Sequence, residues 1–125
     1  MLFRSQPAHP NSSYNQLAVL LCYITDRTGF AGADAEQRDA LIRRIAEAAC
    51  AGVDYIQLRE KDLAEDDLER LARKAVTAVR ENSATTKLLI NTRADIALAV
   101  GADGVHLPAD SRSASEFREI GRAHV

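Results

Sequence analysis

Residues 88–107 (LLINTRADIALAVGADGVHL) leave this chain few folds to choose from. Apolar Leu88, Leu89 and Ile90 stop at polar Asn91 and Thr92. A short helical pattern through Ile96, Ala97, Leu98 and Val100 closes at Gly101, and a second apolar run, 105–107, starts soon after. The pattern is strand, short helix, strand, with turn chemistry at each joint. So compact a unit joins parallel strands through a helical crossover. Asn91 and His106 then fall at the same end of neighbouring strands, where α/β proteins carry their chemistry.

The remaining chain repeats this alternation. Residues 19–25 (VLLCYIT) form an apolar run of the length of a buried parallel strand. Asp34 with Gln37 reads as a capping box for a helix whose buried stripe is Leu41, Ile45, Ala48 and Ala49, stopped by Gly52. Residues 53–58 form the second strand. Asp62 with Glu65 reads as a second capping box, opening the longest helix. In that helix Leu68, Leu71, Ala72, Ala75, Val76 and Val79 recur at helical spacing. The third strand is 88–90, the short helix spans 93–100, and the fourth strand is 104–107. A polar helical pattern begins over 113–118.

The order β-α-β-α-β-α-β defines an α/β protein. Along the second strand Ile56 and Leu58 share one face while Gln57, Arg59 and Lys61 share the other. A central strand of an open doubly wound sheet is apolar on both faces. A barrel strand instead packs one face on helices and turns the other inward, with the site near its carboxyl end. The alternation favours a (β/α)8 TIM barrel, of which this chain holds the first four strands and three helices, about half.

Net charge is −2 with 27% charged residues, so no basic excess points to nucleic acid. No apolar run approaches the ~20 residues of a membrane span. Cys22 and Cys50 lack nearby Cys or His partners and read as reduced, buried, small hydrophobes of a cytoplasmic protein. The polar, proline-containing stretch 1–16 lacks the apolar centre of a signal peptide and reads as a disordered extension ahead of a domain over 17–119.

Four places carry candidate chemistry. Gln57, Arg59 and Lys61 set an amide and two cations in one row, suited to a multiply charged oxyanion such as a diphosphate. The same residues also read as a solvated loop ahead of a helix. Asn91 either donates to that anion or caps the following helix. His106, among apolar residues, is either a hydrogen-bonded core side chain or part of an active-site face. Asp110 either holds Mg²⁺ or caps a turn.

Together these stretches resemble the thiamine phosphate synthase/TenI family. The resemblance is carried by Tyr23-Ile24-Thr25-Asp26, by residues 51–62 (AGVDYIQLREKD) and by Leu89-Ile90-Asn91 through residues 101–107 (GADGVHL). It implies a (β/α)8 barrel whose synthase members join hydroxymethylpyrimidine diphosphate to thiazole phosphate, releasing pyrophosphate. In them the residues matching Gln57, Arg59, Lys61 and Asn91 bind the pyrimidine diphosphate, and two aspartates hold Mg²⁺. The small phosphorylated pyrimidine and thiazole are thus the implied partners, with homo-oligomerisation an open expectation.

The chain departs from the synthase pattern at both aspartates. Asn-Asp becomes Asn91-Thr92, and Gly-Gln-x-Asp after His-Leu becomes Pro108-Ala109-Asp110-Ser111. These losses resemble the TenI branch, a thiazole tautomerase, and leave a non-catalytic phosphate binder as a further reading. Residues 120–125 (IGRAHV) resemble a common sequencing adapter read in frame, so the biological part of this sequence is expected to stop near Glu119, with the rest of the barrel not read. On its own the chain is expected to be inactive, because half a barrel leaves its first and fourth strands as open edges and its inner face bare.

Overall fold

The computed structural model describes residues 2–4, 20–108 and 117–119. Six strands lie side by side in chain order: β1 (Leu2–Arg4), β2 (Leu21–Ile24), β3 (Tyr55–Leu58), β4 (Lys87–Asn91), β5 (Gly104–His106) and β6 (Phe117–Glu119). Strands β2 to β5 are parallel, and α1 (Asp34–Cys50), α2 (Glu65–Asn82) and α3 (Ala94–Val100) connect them. Four parallel strands alternating with three helices form the expected half barrel.

Register assigns the two faces. Tyr23, Ile56 and Leu88 are aligned, as are Leu58 and Ile90. These side chains join Leu41 and Ile45 of α1, Leu71 and Val79 of α2 and Ile96 of α3 in one core. The alternating row, Gln57 beside Leu89 and Asn91 beside His106, therefore looks to the other face. No described helix is long and apolar enough to cross a membrane.

Several expectations are corrected. β1 and β6 each pair antiparallel with an outer parallel strand, so the edges of β2 and β5 are not open. Gln57 and Leu89 are only 5% and 4% exposed, so the second face is not bare at its centre. Three residues of the expected N-terminal extension thus belong to the sheet. Phe117–Glu119 is extended although the sequence pattern over 113–118 is helical. The rest of 1–16, residues 113–116 and the adapter-like 120–125 lie outside the described residues. Cys50 is exposed and Cys22 half-buried, both free, against the expectation of burial.

Neither helix begins at the expected cap. α1 opens after Ala33, whose N–H donates to Glu36 Oε1 at 2.7 Å, while Gln37 donates to the Phe30 carbonyl at 2.9 Å. α2 opens after Ala64 with no side-chain cap. Asp34 and Asp62 turn instead to Arg27. Exposed helix-end N–H groups can be served by water, whereas a buried guanidinium needs protein acceptors.

Two loops repeat one device. Gly52 and Gly101 adopt positive φ (91° and 73°), and two residues later Asp54 and Asp103 reach the start of a neighbouring strand. Asp54 Oδ2 accepts from Leu21 N at 2.8 Å, and Asp103 Oδ2 accepts from Leu88 N at 2.8 Å. Each aspartate's own N–H donates back to that residue's carbonyl at 2.9 Å. These clasps fix where the strands start, and hence where their carboxyl ends deliver side chains.

Candidate anion-binding site

β3 runs directly into Arg59-Glu60-Lys61-Asp62, and burial along this loop inverts the ordinary pattern. Both cations are exposed while Glu60 is 5% exposed. Glu60 is satisfied in its buried place. Its Oε2 accepts from the Thr25 hydroxyl at 2.6 Å, both oxygens accept from the Arg27 N–H at 3.2 Å, and Oε1 accepts from Arg27 Nη1 at 3.0 Å. The Thr25 hydroxyl in turn accepts from Arg59 N at 2.9 Å, tying the backbone of the first cation to the same carboxylate.

Arg27, 4% exposed, is the hub. Its guanidinium meets Asp62 in a two-bonded fork at 2.8 and 2.9 Å and Asp34 at 3.0 Å, besides Glu60. The fork holds the Asp62 carboxyl below its ordinary range, with the Arg27 hydrogen bonds as the largest cause. The same bonds, those from Asp62 foremost, push the Arg27 ionisation further upward, so its charge is permanent.

The described residues bring only some of the expected side chains together. Arg59 and Lys61 line one cavity of about 360 Å³ with Ile24, Thr25, Asp26 and Thr28, and Glu60 and Asp62 line it too. Among the described residues, neither cation makes an ion pair. Gln57, Asn91 and His106 sit on the sheet face beside this cavity, not in its wall. Of the two roles open to Asn91, its side chain does not fill that of helix cap, since α3 starts after Arg93 with no side-chain cap bond. His106 is half-buried, and its Nδ1 is buried without a partner among the described residues. A larger cavity, about 500 Å³, lies among Tyr23, Phe30, Arg44 and Glu47, between β2 and α1. Arg44 there stacks over Phe30 at 5.4 Å, so the paired cations belong to the smaller space.

The residue after Asn91 is strained. Thr92 has φ 59°, a left-handed conformation that a β-branched side chain adopts at a cost, and its N–H donates to the His106 carbonyl at 2.9 Å. Asparagine tolerates this region. Thr92→Asn is therefore expected to raise stability by about 1 kcal/mol in urea unfolding followed by circular dichroism. No gain would mean that the loop relaxes without penalty.

Among the described residues no group of three or more His, Cys, Asp or Glu gathers as a metal site, and exposed Thr92 offers a hydroxyl where a carboxylate is needed. Asp110 lies outside the described residues.

Sequence reasoning missed Thr25 and Arg27. Thr25-Asp26-Arg27 reads locally as a polar strand end. Its three acidic partners stand 7, 33 and 35 residues away, so no local spacing marks them.

The fold is thus an α/β protein with parallel strands, and the carboxyl end of β3 carries two cations that are unpaired among the described residues. Comparison with known proteins narrows the class. The family described as thiamine monophosphate synthase matches residues 21–125, and the chain belongs to it. A putative thiamine-phosphate synthase from Geobacter sulfurreducens is 43% identical over 100 residues, covering 80% of this chain and 43% of the relative. A putative thiamine-phosphate synthase 2 from Aquifex aeolicus is 39% identical over 97 residues, covering 78% and 47%. The thiamine-phosphate synthase of Solidesulfovibrio magneticus is 37% identical over 100 residues, covering 80% and 44%. The chain thus spans slightly less than half the length of these relatives.

Proposed function

We propose that this chain supplies the pyrimidine diphosphate subsite of an enzyme of thiamine biosynthesis that makes thiamine phosphate. The carrying observation is the pair Arg59 and Lys61, exposed and without ion pairs among the described residues, on one cavity at the end of β3. In the reaction the bond between the pyrimidine methylene and the diphosphate oxygen breaks. Pyrophosphate leaves with the electron pair, and the thiazole nitrogen bonds to the methylene carbon. A guanidinium fork and a mobile ammonium suit the charge that builds on the departing oxygens. Gln57 and Asn91 are assigned to the pyrimidine end, on the adjoining sheet face. Asp110 is the carboxylate that the sequence leaves for Mg²⁺. Two free thiols accord with a cytoplasmic setting.

Thr92 supports a second reading, a thiazole tautomerase, because that chemistry has no diphosphate leaving group to hold through a metal. The two differ in ligand. Calorimetric titration with hydroxymethylpyrimidine diphosphate is expected to give binding that Arg59→Ala and Lys61→Ala each weaken by about tenfold or more. Equal affinity in wild type and both variants would overturn the proposed subsite. Binding of the thiazole carboxylate phosphate, without binding of the diphosphate, would favour the tautomerase.

A further inference from the structure

We infer that Arg27 is an internal counter-ion that keeps the carboxylates of Glu60 and Asp62 off Arg59 and Lys61, leaving both cations free for a phosphate-rich ligand. This rests on the subsite reading above. In Arg59-Glu60-Lys61-Asp62 every cation has an acid next to it in sequence, and a solvated loop of this kind would be nearly self-neutralised. Here both acids line the same cavity as the cations, yet among the described residues their ion pairs go to Arg27 and not to Arg59 or Lys61. Asp62 gives both oxygens to the Arg27 fork at 2.8 and 2.9 Å, a geometry that a lysine ammonium cannot supply. Glu60 is filled by Arg27 and Thr25, and the same Thr25 hydroxyl holds the Arg59 N–H. Because Arg27 is 4% exposed, it does not compete for the ligand that its partners would otherwise exclude. Arg27 is thus a positioning residue, acting through the charges of its neighbours.

The test is calorimetric titration of the full chain with inorganic pyrophosphate at low ionic strength, with helix content followed by circular dichroism. Arg27→Gln is expected to weaken binding by about tenfold, because Asp62 then swings to the cations. Adding Asp62→Asn to that variant is expected to restore affinity to within about threefold of wild type. A merely structural Arg27 would leave the double variant as weak as the single one, which would overturn the inference. Asp62→Asn alone keeps the test valid if Arg27→Gln does not fold. Affinity within about twofold of wild type supports the inference, whereas a rise of about fivefold or more shows Asp62 already competing and overturns it. Arg59→Ala and Lys61→Ala separate the two possible failures. If both bind pyrophosphate like wild type, the subsite itself is wrong. If they weaken binding while folded Arg27→Gln does not, only the counter-ion role falls.

Discussion

Glu60→Ala is expected to destabilise the folded chain by about 3 kcal/mol, the lower part of the range for removing one member of a buried ion pair. The Glu60 side chain is 2% exposed and satisfies three donors: the Thr25 hydroxyl, the Arg27 N–H and Arg27 Nη1. Truncation strands the first two inside the protein, where each unmet donor costs roughly 1–3 kcal/mol unless water enters. Asp34 and Asp62 still hold the guanidinium, which keeps the loss from the upper end of the range. Against a total stability of about 5–15 kcal/mol for a domain, this is a large fraction. Urea unfolding of the variant measures it. A loss under about 1 kcal/mol would mean that water replaces the carboxylate without difficulty.

Ile56→Ala carries an expected cost of about 2–5 kcal/mol, from lost apolar transfer and the cavity left behind. Ile56 is 0% exposed on β3, aligned with Tyr23 on one side and Leu88 on the other. The strand backbones are fixed by their hydrogen bonds, so neighbours cannot collapse fully into the gap. Leu98→Ala is the natural control, since Leu98 is 59% exposed on α3 and its truncation should change stability by no more than about 0.5 kcal/mol. Similar losses in the two variants would show that the core does not lie between the sheet and α1 to α3.

The parts of this fold legible from sequence are those whose signal is local and periodic. The α2 stripe through Leu68, Leu71, Ala75 and Val79 is buried as its spacing requires, because a helix presents a face every three or four residues. The crossover from β4 to β5 was legible for the same reason, down to Gly101 in left-handed conformation. Charged residues were another matter. Asp34 and Asp62 carry the local signature of helix caps, yet both serve an arginine distant in sequence from Asp62. Glu60 looks like any loop acid until Thr25 and Arg27 are folded against it. Leu2–Arg4 and Phe117–Glu119 are too short for alternation to be read, and only the strand edges beside them call them into the sheet. Of the proposed site, the row of cations was visible from residue order alone. What leaves those cations unpaired was not.

The duplicated aspartate clasp also bears on the order in which the sheet assembles. Asp103 reaches Leu88 across 15 residues, whereas Asp54 reaches Leu21 across 33. Closing the shorter loop costs about 0.6 kcal/mol less chain entropy. α3, only seven residues long, has almost no helical stability alone, so it forms together with the clasp that brings β4 and β5 into register. Of the two clasps, the one at Asp103 is therefore the cheaper to close, and the strands it aligns set Asn91 beside His106.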